Sequence, residues 1–206
     1  MVSAKSTSSL HQFLPPAAVP LIGDWLTANE VIFKITAARS TKLGDYRHPY
    51  NGKGHRISVN HNLNPYAFLV TTVHELAHLE TWKKFRGKLK PHGIEWKGLF
   101  AELMLPFLDE TVLQPELIPQ LSRYLHNPAA SSCSDLVLMR LLSRYDLERP
   151  GIAALETLPA GTIFGLSNGR KFLKGERLRK RYRCVEERTR KVYLFSPLAQ
   201  VQLISF

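Results

Sequence analysis

Residues 74 to 96 read HELAHLETWKKFRGKLKPHGIEW and contain three of the eight histidines of this 206-residue chain. His74 and His78 stand four residues apart, so on a helix they lie on one face, one turn from each other. A helix is predicted here because Asn64 and the proline after it form a typical start, and no breaker follows before Gly87. The stretch therefore predicts a long helix that presents two imidazoles side by side.

The third histidine, His92, follows a turn that the glycine and proline of residues 87 to 91 permit. A second helix is predicted over IEWKGLFAELM, residues 94 to 104, and it can fold back on the first. His92 would then lie opposite His74 and His78, and three imidazoles could reach one cation at about 2.0–2.1 Å. A catalytic zinc ion has three protein ligands and one open position, so this spacing predicts such a site.

Glu75 is the candidate catalytic residue, since a carboxylate beside a metal can take a proton from water whose pKa the ion lowers toward about 7. The metzincin pattern does not fit, because Thr81 and Lys84 occupy the positions where it requires glycine and histidine. Glu95 and Glu102 remain alternatives, either as third ligand or as groups that orient a ligand. The other alternative, ordinary core histidines, would bury polar side chains at a cost in a largely apolar helix.

The segments TTVHELAHLETW and KPHGIEWKGLFAEL resemble the SprT-like family, which includes the bacterial SprT proteins and the eukaryotic Spartan protease. The preceding RSTKLGDYR and ISVNHNLN also resemble that family, so the likeness spans roughly residues 30 to 105. It implies a zinc metalloendopeptidase with one catalytic zinc ion bound by His74, His78 and His92. Glu75 would be its general acid and base. For the Spartan branch, the likeness also implies cleavage of proteins crosslinked to DNA.

The resemblance stops at the C-terminal part, where many family members carry a zinc ribbon with paired cysteines. This chain has only two cysteines, Cys133 and Cys184, far apart in sequence, so a second, structural zinc ion is not expected. Their number also excludes a disulfide framework and favours a reducing compartment. No stretch approaches the roughly 20 apolar residues of a membrane span. We therefore predict a cytoplasmic protein without a membrane partner.

Positive charge is concentrated near the C-terminus of a chain whose formal net charge is +11. Residues 170 to 191 hold eleven basic and three acidic residues. Within RLRKRYRCV the arginines alternate, so on a single strand all four would point to one face: Arg177, Arg179, Arg181 and Arg183. Such a surface would bind phosphates and hence DNA, and the alternative is a solvated face.

The fold class predicted from these patterns is α+β. A zincin-like, helix-rich metallopeptidase domain with a small sheet is expected over residues 1–157, with about the first 14 residues flexible. Residues 158–206, rich in Gly and Asn turns, predict a basic, β-rich, ribbon-like module. Strands are expected at residues 31–38 and 55–60, the second of which would pair with an extended peptide substrate.

Other residues are weaker candidates. The segment between the two predicted strands is expected to be a long loop, in which Arg39, Lys42 and Arg47 could line a substrate channel. His48 and His55 are expected at the surface, and Cys133 and Cys184 in cores. Three further histidines have no partner spacing: His11, His61 and His126.

The motifs favour a metallopeptidase acting on a protein or peptide substrate, with DNA as a possible partner. The competing hypothesis is a non-catalytic nucleic-acid-binding or regulatory protein with a vestigial or structural zinc site. An intact Glu75 argues against it, because a purely structural site does not need that carboxylate. The oligomeric state does not follow from the sequence.

Overall fold

A computed structural model describes residues 10–39, 41–129 and 135–204 of the chain. They form two compact units that divide between Asp146 and Leu147. We placed the boundary at residue 157, but residues 152–154 already belong to the sheet of the second unit. At the N-terminus, residues 1–9 lie outside the described part. Leu10 and Leu14, which we expected in a flexible segment, are buried in the core.

The first unit contains a three-stranded sheet formed by β1 (Ile32–Thr36), β2 (Gly44–Arg47) and β3 (Arg56–Asn60). β3 is the middle strand, parallel to β1 and antiparallel to β2. The prediction that β3 is a free edge for a peptide was therefore wrong. β2 lies inside the segment predicted as a loop. The strand is difficult to predict because GDYR is short and contains residues that are depleted in strands.

Five α-helices are seen in the described part of the chain, all in the first unit: α1 (Val19–Ala28), α2 (Pro65–Phe85), α3 (Ile94–Met104), α4 (Leu117–Leu125) and α5 (Leu136–Leu142). The mixed α+β class is thus confirmed. α2 begins as predicted, with the Asn64 side chain accepting a hydrogen bond from Ala67 N at 3.0 Å. It ends where Arg86 and Gly87 take left-handed backbone angles, which end helices.

α2 runs through the middle of the first unit and is apolar on several sides. Its buried residues surround most of the helix axis and include Phe68, Leu69, Val70, Val73, Leu76 and Ala77. The same helix buries the polar side chains of His74 and Glu75. Burial of such groups costs free energy unless they find partners, so their position needs a chemical explanation.

The second unit is a six-stranded antiparallel sheet in the order β4-β9-β5-β6-β7-β8. Its strands are β4 (Ile152–Ala154), β5 (Ile163–Gly165), β6 (Lys171–Arg177), β7 (Tyr182–Glu186), β8 (Val192–Phe195) and β9 (Gln200–Leu203). A small core of Leu155, Phe164, Phe172, Cys184 and Val201 stabilises it. Cys184 is buried as expected, whereas Cys133 lies outside the described residues.

Candidate metal centre

Three imidazoles converge where α2 meets the start of α3. His74 Nε2 lies 3.2 Å from His78 Nε2 and 3.2 Å from His92 Nε2. A tetrahedral ion with bonds of about 2.0–2.1 Å holds its ligand atoms about 3.3–3.4 Å apart. The spacing of these nitrogen atoms therefore fits a single ion, and the three histidines could hold a metal.

The two carboxylates that we kept as alternative ligands are not part of this group. In the described part of the chain, the group that could hold a metal consists of the three histidines. Glu102 instead lines a cleft with Trp25 and Lys84. Glu95 lies in the first turn of α3, with a carboxylate oxygen close to the backbone of Gly93.

His92 reaches the centre through an unusual backbone conformation. Its φ angle is +60°, in the left-handed region that non-glycine residues adopt at a cost of about 1–3 kcal/mol. The chain turns there between the end of α2 and Gly93, which precedes α3. Strain of this kind clusters at functional sites, where the surrounding structure maintains it. The sequence predicted the turn but not the conformation of the histidine itself.

Trp96 forms the floor of the centre, and in the sequence it stood out only as the last residue of the motif. Its ring centroid lies 4.6 Å from those of His74 and His92 and 5.2 Å from that of His78. The indole is 1% exposed and stacks on Phe100 at 5.1 Å. Trp96 therefore restricts all three imidazoles. The sequence signal for this role is its spacing of four residues from His92, on the next helix.

The imidazoles are held in the form that binds metals. Burial, followed by the neighbouring His78 and His92, lowers the pKa of His74 to about 3. Burial and the charge of His92 lower the pKa of His78 to about 4, and burial alone lowers that of His92. At neutral pH all three rings are neutral, which is the state that donates a lone pair to a cation.

His74 Nδ1 is a buried nitrogen atom without a hydrogen-bond partner. A metal-ligating histidine usually donates this second N–H to a carboxylate or carbonyl, which fixes the ring. Here the packing of the His74 ring against Trp96 and Phe100 restricts its orientation instead. The donor set of three neutral imidazoles suits zinc and its neighbours in the transition series rather than magnesium or calcium.

Glu75 is 6% exposed and lies on the side of α2 that faces β2. Burial, and next the charge of Asp45, raise the pKa of its carboxyl group to about 8. A hydrogen bond from the backbone N–H of Tyr46 and the positive charges of Arg39 and Lys42 act in the opposite direction. A cation at the three histidines would also favour the carboxylate form.

The basic residues expected to line a channel all have partners. Arg39 Nε donates to Asn60 Oδ1 at 2.7 Å, which ties the segment before β2 to β3. Lys42 Nζ and Arg47 Nε form ion pairs with Asp45 at 2.7 and 2.9 Å. Arg39 and Lys42 favour the charged form of Glu75, and the channel stays a prediction.

His48 and His55 belong to an aromatic cluster around Trp82, beyond the metal centre on α2. The exposed His48 ring stacks on Trp82 with centroids 5.8 Å apart. His55 is partly exposed and meets Trp82 edge-on at 5.2 Å. Its Nδ1 shares a hydrogen bond of 2.9 Å with Tyr46 Oη. Packing therefore accounts for both histidines.

The predicted arginine stripe is not on one strand. β6 ends at Arg177 and β7 begins at Tyr182, and Leu178 N donates to Arg181 O at 2.8 Å across the turn between them. The chain therefore reverses inside the segment that alternation assigned to one strand. All four arginines, Arg177, Arg179, Arg181 and Arg183, remain exposed. They are grouped around a hairpin instead of lining one face.

Comparison with known proteins returns nothing: no protein-family model, curated protein or solved structure matches this chain. The resemblance to the SprT-like family thus rests on its motif residues alone. Among the described helices, none is long and apolar enough to cross a membrane.

Proposed function

We propose that this chain is a zinc-dependent metalloendopeptidase of the SprT-like, zincin-like kind, with a single catalytic zinc ion. His74, His78 and His92 would hold the ion. The observation that carries the proposal is the convergence of three imidazoles, together with a buried carboxylate on the residue after His74 that is not itself in the ligand group. Three nitrogen ligands leave the fourth position of a tetrahedral ion open, which with a carboxylate outside the ligand set is typical of a hydrolytic site rather than of a closed structural one.

The roles of the residues follow from their positions. When bound, zinc supplies a Lewis acid that polarises a carbonyl and lowers the pKa of water toward about 7. Glu75 accepts the proton of the attacking water and passes it to the leaving amine nitrogen. The backbone N–H of Tyr46 favours the carboxylate form of Glu75 without adding a second acid.

The peptide substrate would be bound as an added strand at an unpaired sheet edge. β3 is paired on both sides, so the free edge to which a peptide can add belongs to β2 instead. β2 is the outer strand nearest to Glu75. A peptide lying along it would pass near Glu75.

We extend the proposal to substrates that are associated with DNA or crosslinked to it. The family resemblance supports this substrate class, and so do the net charge of +11 and the exposed arginines of the β6–β7 hairpin. Arginines in such a hairpin would bind phosphates without reading base sequence.

Incubation of the zinc-loaded protein with an unfolded protein substrate, with and without DNA, tests both the peptidase activity and its dependence on DNA. Cleavage that requires DNA is the expected result, and DNA-independent cleavage would retain the peptidase but remove DNA from its regulation. DNA binding without any cleavage would replace the proposal with the competing one, a non-catalytic nucleic-acid-binding protein.

A further inference from the structure

Gly44, at the start of β2, packs directly against Glu75. A Cβ atom built on Gly44 would overlap Glu75 Oε1 and lie 2.8 Å from Glu75 Cγ. It would also lie 2.8 Å from Thr71 Cγ2. Real Cβ atoms do not approach other atoms so closely, so the carboxylate occupies the volume that any side chain at position 44 would need.

The conformation of Gly44 does not itself require glycine. The described glycines with positive φ are Gly52, Gly87, Gly151, Gly161 and Gly169, and Gly44 is not among them. An alanine at position 44 would therefore fit the backbone and fail only for lack of space. The reason for glycine is the contact with α2.

The hydrogen-bond pattern of β2 explains how the strand also holds the carboxylate. Asn60 N donates to Leu43 O at 2.9 Å, so Leu43 and Asn60 form a hydrogen-bonded pair of the antiparallel ladder. In such a ladder alternate residues point their N–H groups away from the partner strand, and here these are Gly44 and Tyr46. The backbone N–H of Tyr46 is one of the groups that lower the pKa of Glu75.

We propose that Gly44 is a positioning residue for Glu75: its bare Cα leaves the volume in which the carboxylate lies, beside the N–H of Tyr46. The effect of Gly44 on catalysis rests on the proposed peptidase function. The contact itself is independent of that function. β2 thus orients the general base and does not only present an edge to the substrate.

Gly44→Ala should mainly lower kcat. To reach ordinary contact the carboxylate must move by about 1 Å, a misplacement that can cost about 100-fold in rate. The three atoms nearest to the added methyl group belong to Glu75 and Thr71 and not to a histidine. We therefore expect kcat to fall about 100-fold, while KM and zinc affinity stay within about twofold of the unchanged protein, since uniform binding is not affected.

Gly98→Ala on α3 is the matched control, because a Cβ atom at Gly98 meets no atom within 4 Å. It should leave kcat, KM and zinc affinity unchanged. Equal kcat values for Gly44→Ala and Gly98→Ala would overturn the proposal. A second background, Thr71→Ser, removes the third close contact, and full recovery of kcat in Gly44→Ala/Thr71→Ser would assign the loss to Thr71 and also overturn it.

A urea-unfolding cycle on the zinc-free protein tests the contact without reference to activity. Gly44→Ala should lower the unfolding midpoint clearly when Glu75 is present, and by less than half as much in a Glu75→Ala background. Additive shifts would contradict the contact, and the proposal with it. If the unchanged protein cleaves no substrate but the cycle shows coupling, the peptidase function fails while the packing of Gly44 on Glu75 stands.

Discussion

The indole of Trp96 lies 4.6 Å from the imidazole of His92 and equally close to that of His74, between centroids, at the meeting point of α2 and α3. One buried side chain thus contacts ligand candidates that are separated by a turn of the chain. Because the packing restricts the rings before any ion arrives, the metal centre is partly preorganised.

Trp96→Phe should therefore weaken zinc binding by about tenfold, the lower end for residues that support metal ligands. The smaller ring leaves space beside the imidazoles and lets them rotate. Competition with a chelator measures the affinity. Trp25→Phe is the control, because Trp25 packs edge-on against Phe107 instead of a histidine. Equal zinc affinities for the two variants would argue against the supporting role of Trp96.

Substitution should separate the metal ligands from Glu75. Glu75→Gln is expected to retain zinc and lose cleavage, because the amide cannot accept the proton of the attacking water. His78→Ala is expected to lose the metal itself. Metal content and peptide cleavage are measured on the same preparations. A fully active Glu75→Gln protein would refute the mechanism.

Asn64 should stabilise the first unit through two separate sets of hydrogen bonds. Its Oδ1 caps α2, and its Nδ2 donates to Leu142 O at 2.9 Å and to Asp146 Oδ1 at 2.6 Å. Loss of the cap in Asn64→Ala should cost about 1–2 kcal/mol in urea unfolding. Asn64→Asp keeps the cap but places a carboxylate against Asp146. If Asn64→Asp leaves the free energy of unfolding unchanged, the Nδ2 hydrogen bonds contribute nothing to stability.

The second unit should lose stability in acid through Glu186. Hydrogen bonds from Arg170 and then Thr189 lower the pKa of Glu186 to about 2, from a usual 4.5. Because this pKa is depressed, the stabilisation is complete above about pH 4.5 and is lost as the pH falls toward 2. Glu186→Gln should reduce the loss in the free energy of unfolding over that pH range. Glu187→Gln at the exposed neighbouring position should not. Identical profiles would exclude Glu186 as the cause.

If the β6–β7 hairpin binds DNA, Arg179→Ala/Arg181→Ala should weaken binding regardless of base sequence. For every phosphate that the variant no longer neutralises, the slope of log affinity against log salt should become shallower by about 0.9 on duplex DNA. Titrations at several salt concentrations measure the slope. Arg123→Ala, an exposed arginine of α4 in the first unit, is the control. An unchanged slope in the double variant would place the DNA-binding surface elsewhere or remove it.

Local sequence patterns predicted the two helices that carry the metal centre. α2 begins after Asn64 and stops before Gly87, and α3 spans the predicted residues 94 to 104. Caps, breakers and helical periodicity act over a few residues, so one sequence is enough to read them. The pairing of His74 with His78 follows from the same periodicity.

Contacts between distant segments could not be predicted from the sequence. The sequence predicts a loop where β2 lies, because a short strand containing Gly and Asp is stabilised by its pairing with β3 and not by its own residues. The arginine alternation predicts one strand, because period-two spacing continues unbroken through a tight turn. Neither a strand partner nor a chain reversal is visible in local periodicity.

The three histidines, the glutamate between two of them and the helices that carry them follow from the amino-acid sequence, since these depend on spacing along one chain segment. The packing around Glu75 and the imidazoles is seen only in the folded protein. Gly44 has no distinguishing local pattern, and for Trp96 only its spacing from His92 is visible; their roles arise from packing against side chains on other elements. Packing of that kind depends on the volume left between elements, which spacing along the chain does not encode.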